Sequence, residues 1–113
     1  MIESYGAGGF RVGGRVHIGS VIVLSDRVVA WPVHSLTEID PGSLGPVLES
    51  AANLDILVLG CGQTSAPAAD AVRQALAAAK VALEVMGTGA ACRTFNVLQG
   101  EGRRVAAALL AVP

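Results

Sequence analysis

Two apolar runs that each break into a glycine turn and then a small-residue helix constrain this chain more than any other feature. The clearer one is Val81-Ala82-Leu83-Glu84-Val85-Met86-Gly87-Thr88-Gly89-Ala90-Ala91-Cys92-Arg93-Thr94-Phe95-Asn96-Val97-Leu98. The run to Met86 reads as a strand, and Ala91, Phe95 and Leu98 then share one face of a helix. The earlier one is Leu54-Asp55-Ile56-Leu57-Val58-Leu59, almost continuously apolar, as strands covered on both faces are. The loop Gly60-Cys61-Gly62-Gln63-Thr64-Ser65 follows it. Ala69, Val72, Leu76 and Ala79 then form a helical stripe, with Asp70, Arg73 and Gln74 off it. Strand, helix, strand, helix at these lengths predicts a β-α-β unit with a parallel pair and a right-handed crossover.

The rest of the chain is read around that unit. Gly6, Gly8, Gly9, Gly13, Gly14 and Gly19 crowd the N-terminal third, and glycines in this density mark turns and bulges. Gly13-Gly14 between Arg11-Val12 and Arg15-Val16-His17-Ile18 predicts a hairpin. Gly19–Leu24 is a buried strand candidate. Val28–Trp31 is another, which Pro32 places at a sheet edge. Asp40-Pro41 reads as a helix cap with proline in the first position, and Leu44, Val47, Leu48 and Ala51 continue on one face. Pro46 conflicts with a regular helix there. Past Gly100 and Gly102, Arg103–Leu110 reads as a last helix packing Val105 and Leu109, with Glu101 near its start. The expectation is an α/β fold in one domain over 1–113, mainly β over 1–35 and alternating helix and strand over 40–113.

Composition bounds the function. The chain has 113 residues, 52% hydrophobic and 15% charged, with a net charge of −1. No basic stripe or aromatic ladder appears, which argues against nucleic-acid binding. No apolar run is long enough to span a bilayer. Met1–Gly6 carries neither the basic nor the apolar region of a secretory signal, so a cytoplasmic chain with two reduced cysteines is expected. So little charge leaves apolar surface bare, which favours self-association or a protein partner.

The candidate site lies where the two glycine loops meet, at the carboxyl ends of parallel strands, the rim on which open α/β sheets bind ligands. A strand-to-helix turn exposes backbone N–H groups, and the helix dipole adds positive charge. The residues that would bind there are Gly60, Gly62, Thr88, Gly89, Ala90, Arg93 and Asn96, with a small anion as the ligand class. Arg93 and Asn96 are spaced to share a helix face looking into the cleft. The blander readings stay open beside this one. The glycines would simply permit turns, Thr88 would cap the helix, and Arg93 would be a solvated or carboxylate-paired arginine. Gly60-x-Gly62 lacks the third glycine and downstream acid of a dinucleotide fingerprint. Cys61 and Cys92 sit in the two rim loops, and a helix N-terminus would lower the Cys92 pKa, although buried cysteine often serves only as a small apolar residue. No C-x-x-C or metal-ligand spacing occurs, and His17, His34, Ser20, Ser25 and Ser35 lack catalytic partners or context. No catalytic residue, metal or cofactor is therefore expected.

Tyr5-Gly6-x-Gly8-Gly9-Phe10-Arg11-Val12, Gly19-Ser20-Val21, Trp31, Leu57-x-Leu59-Gly60-x-Gly62, Glu84-Val85-Met86-x-Thr88-x-Ala90-Ala91-Cys92-Arg93-Thr94-Phe95-Asn96-Val97-Leu98 and Glu101-Gly102-Arg103-Arg104-Val105 occur in that order. In these residues the chain resembles a small α/β family whose eukaryotic relatives include a mitochondrial respiratory complex I assembly factor and an adipogenesis-associated protein. The resemblance implies a mixed central sheet with helices and an additional N-terminal β layer. It implies no established reaction; the mitochondrial relatives act through protein partners during complex I assembly. It therefore favours a non-enzymatic binding or assembly module, with a metabolite- or anion-binding domain as the alternative. The chain departs from the family pattern at Gly87, where an acidic residue is common, and at Cys61, where threonine is frequent.

Overall fold

The chain builds two sheets and lays its longest helix between them. In the computed structural model, which describes residues 1–113, β1 (Ile2–Gly6), β2 (Gly9–Val12) and β3 (Arg15–Ile18) form a three-stranded antiparallel meander. Its hairpins turn at Ala7-Gly8 and at the predicted Gly13-Gly14. All four turn residues have positive φ (52°, 79°, 56° and 82°), the conformation that matches the twist of the flanking strands.

A second sheet of five strands runs in the order β5-β4-β8-β6-β7. Its members are β4 (Val21–Val23), β5 (Val28–Ala30), β6 (Ile56–Gly60), β7 (Ala82–Met86) and β8 (Val105–Leu109). The two apolar runs pair in parallel as expected, with Leu59 opposite Val85 and Gly60 opposite Met86. β4 runs antiparallel to both β5 and β8, so the sheet is mixed. β5 lies at its edge, just before Pro32, as the proline predicts.

The predicted last helix over Arg103–Leu110 is wrong. That segment is β8, and it occupies the middle of the sheet, parallel to β6. Gly102 (φ 78°) turns the chain out of the preceding helix, and the Arg104 carbonyl takes the Asp55 and Ile56 amides (2.8 and 3.3 Å), so β8 enters beside β6. Ala and Leu favour helix intrinsically, but burial on both faces overrides that preference. Glu101 consequently closes a helix and does not open one.

The conflict that Pro46 poses for a regular helix from Pro41 is met by an irregular opening and a later start. A 3-10 turn over Gly42–Leu44 leads into α1 (Gly45–Glu49), which holds Pro46 in its first turn, where a missing N–H is harmless. The Asp40 carboxylate accepts the Ser43 amide at 2.8 Å. α2 (Asp70–Ala78) buries Val72 and Leu76, and α3 (Thr88–Gly100) buries Thr88, Ala91, Cys92 and Phe95.

Alternation along the central strands sends side chains into two separate cores. Leu57, Leu59, Ile22, Ala106 and Ala108 join Trp31, Leu44, Val47, Val72 and Leu76 under α1 and α2. Val58, Val21, Val23, Ala107 and Leu109 join Phe95, Ala91, Phe10 and Ile2 on the other side, where α3 is held between the sheets. No helix is long and apolar enough to cross a membrane.

Candidate functional site

The site is organised by Thr88, the first residue of α3, which is wholly buried. Its amide donates to the Gly62 carbonyl (2.7 Å). Its hydroxyl donates to the Leu110 carbonyl (2.7 Å) and accepts the Gly62 amide (3.1 Å). One side chain thus joins both rim loops to the segment after β8. Gly87 holds the N-cap position in extended geometry, so Thr88 is not the cap that its hydroxyl suggests.

Those bonds alter the expected donor set. The Gly62 and Thr88 amides are spent within the protein and cannot serve a ligand. The Gly89 and Ala90 amides take no protein acceptor, as the open first turn of a helix allows. Both residues line a hollow of about 540 Å³ together with Gly62 and Arg93. Four of the seven predicted residues therefore meet at one place.

The other three do not. Gly60 ends β6 and is buried beneath the rim. A Cβ there would lie 2.9 Å from Leu109 Cδ2 and 3.0 Å from Thr88 Cα, so glycine permits α3 to approach the sheet. Thr88 supports the hollow from below. Asn96 turns toward the first sheet: its Oδ1 accepts the Ile2 amide (2.8 Å) and its Nδ2 donates to the Ile2 carbonyl (2.7 Å). Helical spacing places Arg93 and Asn96 on one flank of α3, but β1 covers the Asn96 end of it.

Gln63, Ser65 and Gly87, from the two predicted rim loops, complete the lining with Tyr5, Val112 and Pro113, which sequence reasoning missed. Tyr5 reaches across from β1 and its hydroxyl accepts from Arg93 Nη1 at 3.3 Å. A Cβ on Gly89 would stand 2.5 Å from the Tyr5 hydroxyl oxygen, so glycine at 89 leaves room for the ring. The only sequence signal for Tyr5 was its place in the Tyr5-Gly6 motif. Val112 arrives because the Gly8 amide holds its carbonyl at 2.9 Å, a pairing that local patterning does not announce.

Both cysteines are free and buried. Cys61 is buried, with its Sγ 3.2 Å from the Thr64 and Met86 carbonyls and 3.3 Å from the Ala66 amide that it accepts. Cys92 is also buried, and loss of solvent pushes its thiol up to about 11, outweighing the opposing field of Arg93. The expected lowering at a helix N-terminus fails because Cys92 faces the core. No three His, Cys, Asp or Glu side chains converge. Arg104 forms an exposed ion pair with Asp55 at 2.7 Å.

Residues 2–110 match the family described as "Protein of unknown function (DUF498/DUF598)". The chain belongs to that family. An uncharacterised protein of Rhodobacter capsulatus is 37% identical over 112 residues, covering 99% of this chain and 85% of that protein. The human NADH dehydrogenase [ubiquinone] 1 alpha subcomplex assembly factor 3 is 35% identical over 99% of this chain. This chain spans 61% of that protein's length. Among solved structures, one titled as an outer membrane protein from Bartonella henselae superposes with a TM-score of 0.94 at 34% identity, covering 99% of this chain and 94% of the other. The expected kinship with complex I assembly factors and the expected α/β fold with an additional β layer both stand.

Proposed function

We propose that this chain is a non-enzymatic protein-binding or assembly module that engages its partner through the hollow between the rim loops. The observation that carries the reading is the similarity to an assembly factor along 99% of the chain. The chemistry of the hollow agrees with it. Arg93 is its one charged side chain, set beside a tyrosine hydroxyl and two free amides. These groups recognise an oxygen acceptor, such as a carboxylate or a backbone carbonyl. Arginine and tyrosine are also the residue types on which protein interfaces most often depend. Within this reading the working compartment is the cytoplasm, and the two free thiols accord with it.

The test is capture of partners from the source cell with the wild-type chain and with Arg93→Ala. Arg93 is exposed, so the variant keeps its fold, and capture should weaken on the order of tenfold. Unchanged capture would remove the hollow as the docking surface. Robust turnover of any substrate, abolished by Arg93→Ala, would refute the non-enzymatic reading.

A second reading is supported by the Gly89 and Ala90 amides, which have no acceptor in the protein and lie at the positive end of a 13-residue helix. On this reading the hollow takes a small anion, with Arg93 as counter-charge. Phosphate or sulfate should then raise the melting temperature by binding the native state. Arg93→Ala should abolish that protection.

A further inference from the structure

The outer edge of β3 is open, and it carries the most exposed large apolar side chains of the first sheet. Ile18 is 81% and Val16 64% exposed. β3 pairs only with β2, Val12 opposite Arg15 and Phe10 opposite His17. The two-residue turn between them and the Gly19 amide on the Gly8 carbonyl (2.7 Å) fix which groups face which way. In an antiparallel ladder, hydrogen-bonded and non-bonded pairs alternate. Arg15, His17 and Gly19 therefore bond to β2 or the turn before it. The N–H and C=O groups of Val16 and Ile18 point away from β2, and no other group in the protein takes them.

The opposite edge of the same sheet is treated differently. There the Asn96 side chain supplies both a donor and an acceptor to Ile2, as a neighbouring strand would. β3 has no such cover and no proline, and its one charged side chain, Arg15, lies on the opposite face from Val16 and Ile18. These are the devices that normally protect an edge from pairing.

We propose that β3 pairs with β3 of a second copy, antiparallel about a two-fold axis through His17. The pattern is self-complementary. Val16 would exchange both backbone bonds with the partner's Ile18, and Ile18 with the partner's Val16, which consumes every free group on both edges. The same operation sets the exposed apolar side chains of each copy directly against those of the other. The two meanders become one six-stranded sheet. Because each edge is only four residues long, the dimer is weak and concentration-dependent, at the small end of specific interfaces. This surface is separate from the rim hollow, so the proposal stands whether or not the hollow binds a partner.

Sedimentation velocity and amide exchange on the full chain, over a concentration series, test it. The wild type should pass from monomer to dimer, and the Val16 and Ile18 amides alone on β3 should gain protection, since those of Arg15 and His17 are already bonded. Ile18→Lys and Val16→Glu each place a charge against an apolar residue and should weaken dimerisation by about tenfold or more. The double variant V16E/I18K sets opposite charges across the two-fold and should recover much of it. Arg93→Ala should leave it unchanged. A wild type that stays monomeric overturns the proposal. So does a dimer indifferent to Ile18→Lys, or one whose protection appears elsewhere. Protection of these amides only by a different protein's strand would also overturn it.

Discussion

Thr88 shows how much one hydroxyl can hold. It serves the β6–α2 loop, the start of α3 and the segment after β8 at once. Thr88→Val keeps the shape but strips the partner from the buried Leu110 carbonyl and from the Gly62 amide. A loss of about 1–3 kcal/mol is expected in denaturant unfolding, because a buried acceptor without a donor bears its full desolvation penalty. Lys80 sits at φ 61° just past α2. Its amide bonds to the Ala77 carbonyl, and the Val81 amide bonds to the Leu76 carbonyl, the pattern of a left-handed helix stop. A side chain at that φ is strained, so Lys80→Gly is expected to raise stability by about 1 kcal/mol in the same assay. Gly89, by contrast, was legible in the sequence only as a turn glycine or a backbone donor at the rim. That Tyr5 requires its missing Cβ depends on a strand more than eighty residues away, which no local pattern encodes.

β8 is where strand and helix were confused, and the confusion has a physical basis. Helix periodicity is visible only when one face is polar. Val105-Ala106-Ala107-Ala108-Leu109 has no polar face, because both of its faces are in a core. Intrinsic preference then points to helix, while pairing between β4 and β6 decides for strand. Its three alanines are completely buried, and their small size lets layers close on both sides of the sheet. Ala107→Leu should therefore overpack the core under α3 and lower stability by about 1–3 kcal/mol, read as a lower denaturation midpoint. β6, β7 and α3 were legible because their boundaries carry glycines and, for α3, an amphipathic stripe. α1 was legible in part, since Asp40-Pro41 marked its approach and Pro46 its irregularity.

Across the molecule, the two cores and the exposed charges respond to different conditions. Asp55 and Arg104 tie the start of β6 to the start of β8 at the surface. The hydrogen bond from Arg104 holds the Asp55 carboxyl below its ordinary 3.8. A depressed carboxyl stabilises the folded state fully above that ordinary value and loses its contribution as pH falls through the folded one. Arg104→Ala is thus expected to move the Asp55 midpoint up toward 3.8 in an NMR titration, and what stability it costs is lost at neutral pH and not in acid. The Cys92 thiol acts at the other end. With its pKa raised from 9.0 to about 11, the native state should lose stability as pH rises through that interval, and Cys92→Ala should flatten the alkaline slope of the melting temperature.

The amino-acid order alone determined the parallel pair, the glycine loops at its ends, the N-terminal hairpin and the family motif, because each is written in neighbours a few positions apart. It also pointed to the two rim loops that line the hollow. Folding decided the rest. It placed β8 at the centre, spent the Gly62 and Thr88 amides on structure, turned Asn96 onto β1 and brought Tyr5 and Val112 to the hollow. Each of those outcomes depends on which distant strands become neighbours, a competition for burial and hydrogen bonds that is settled only when the whole chain is packed.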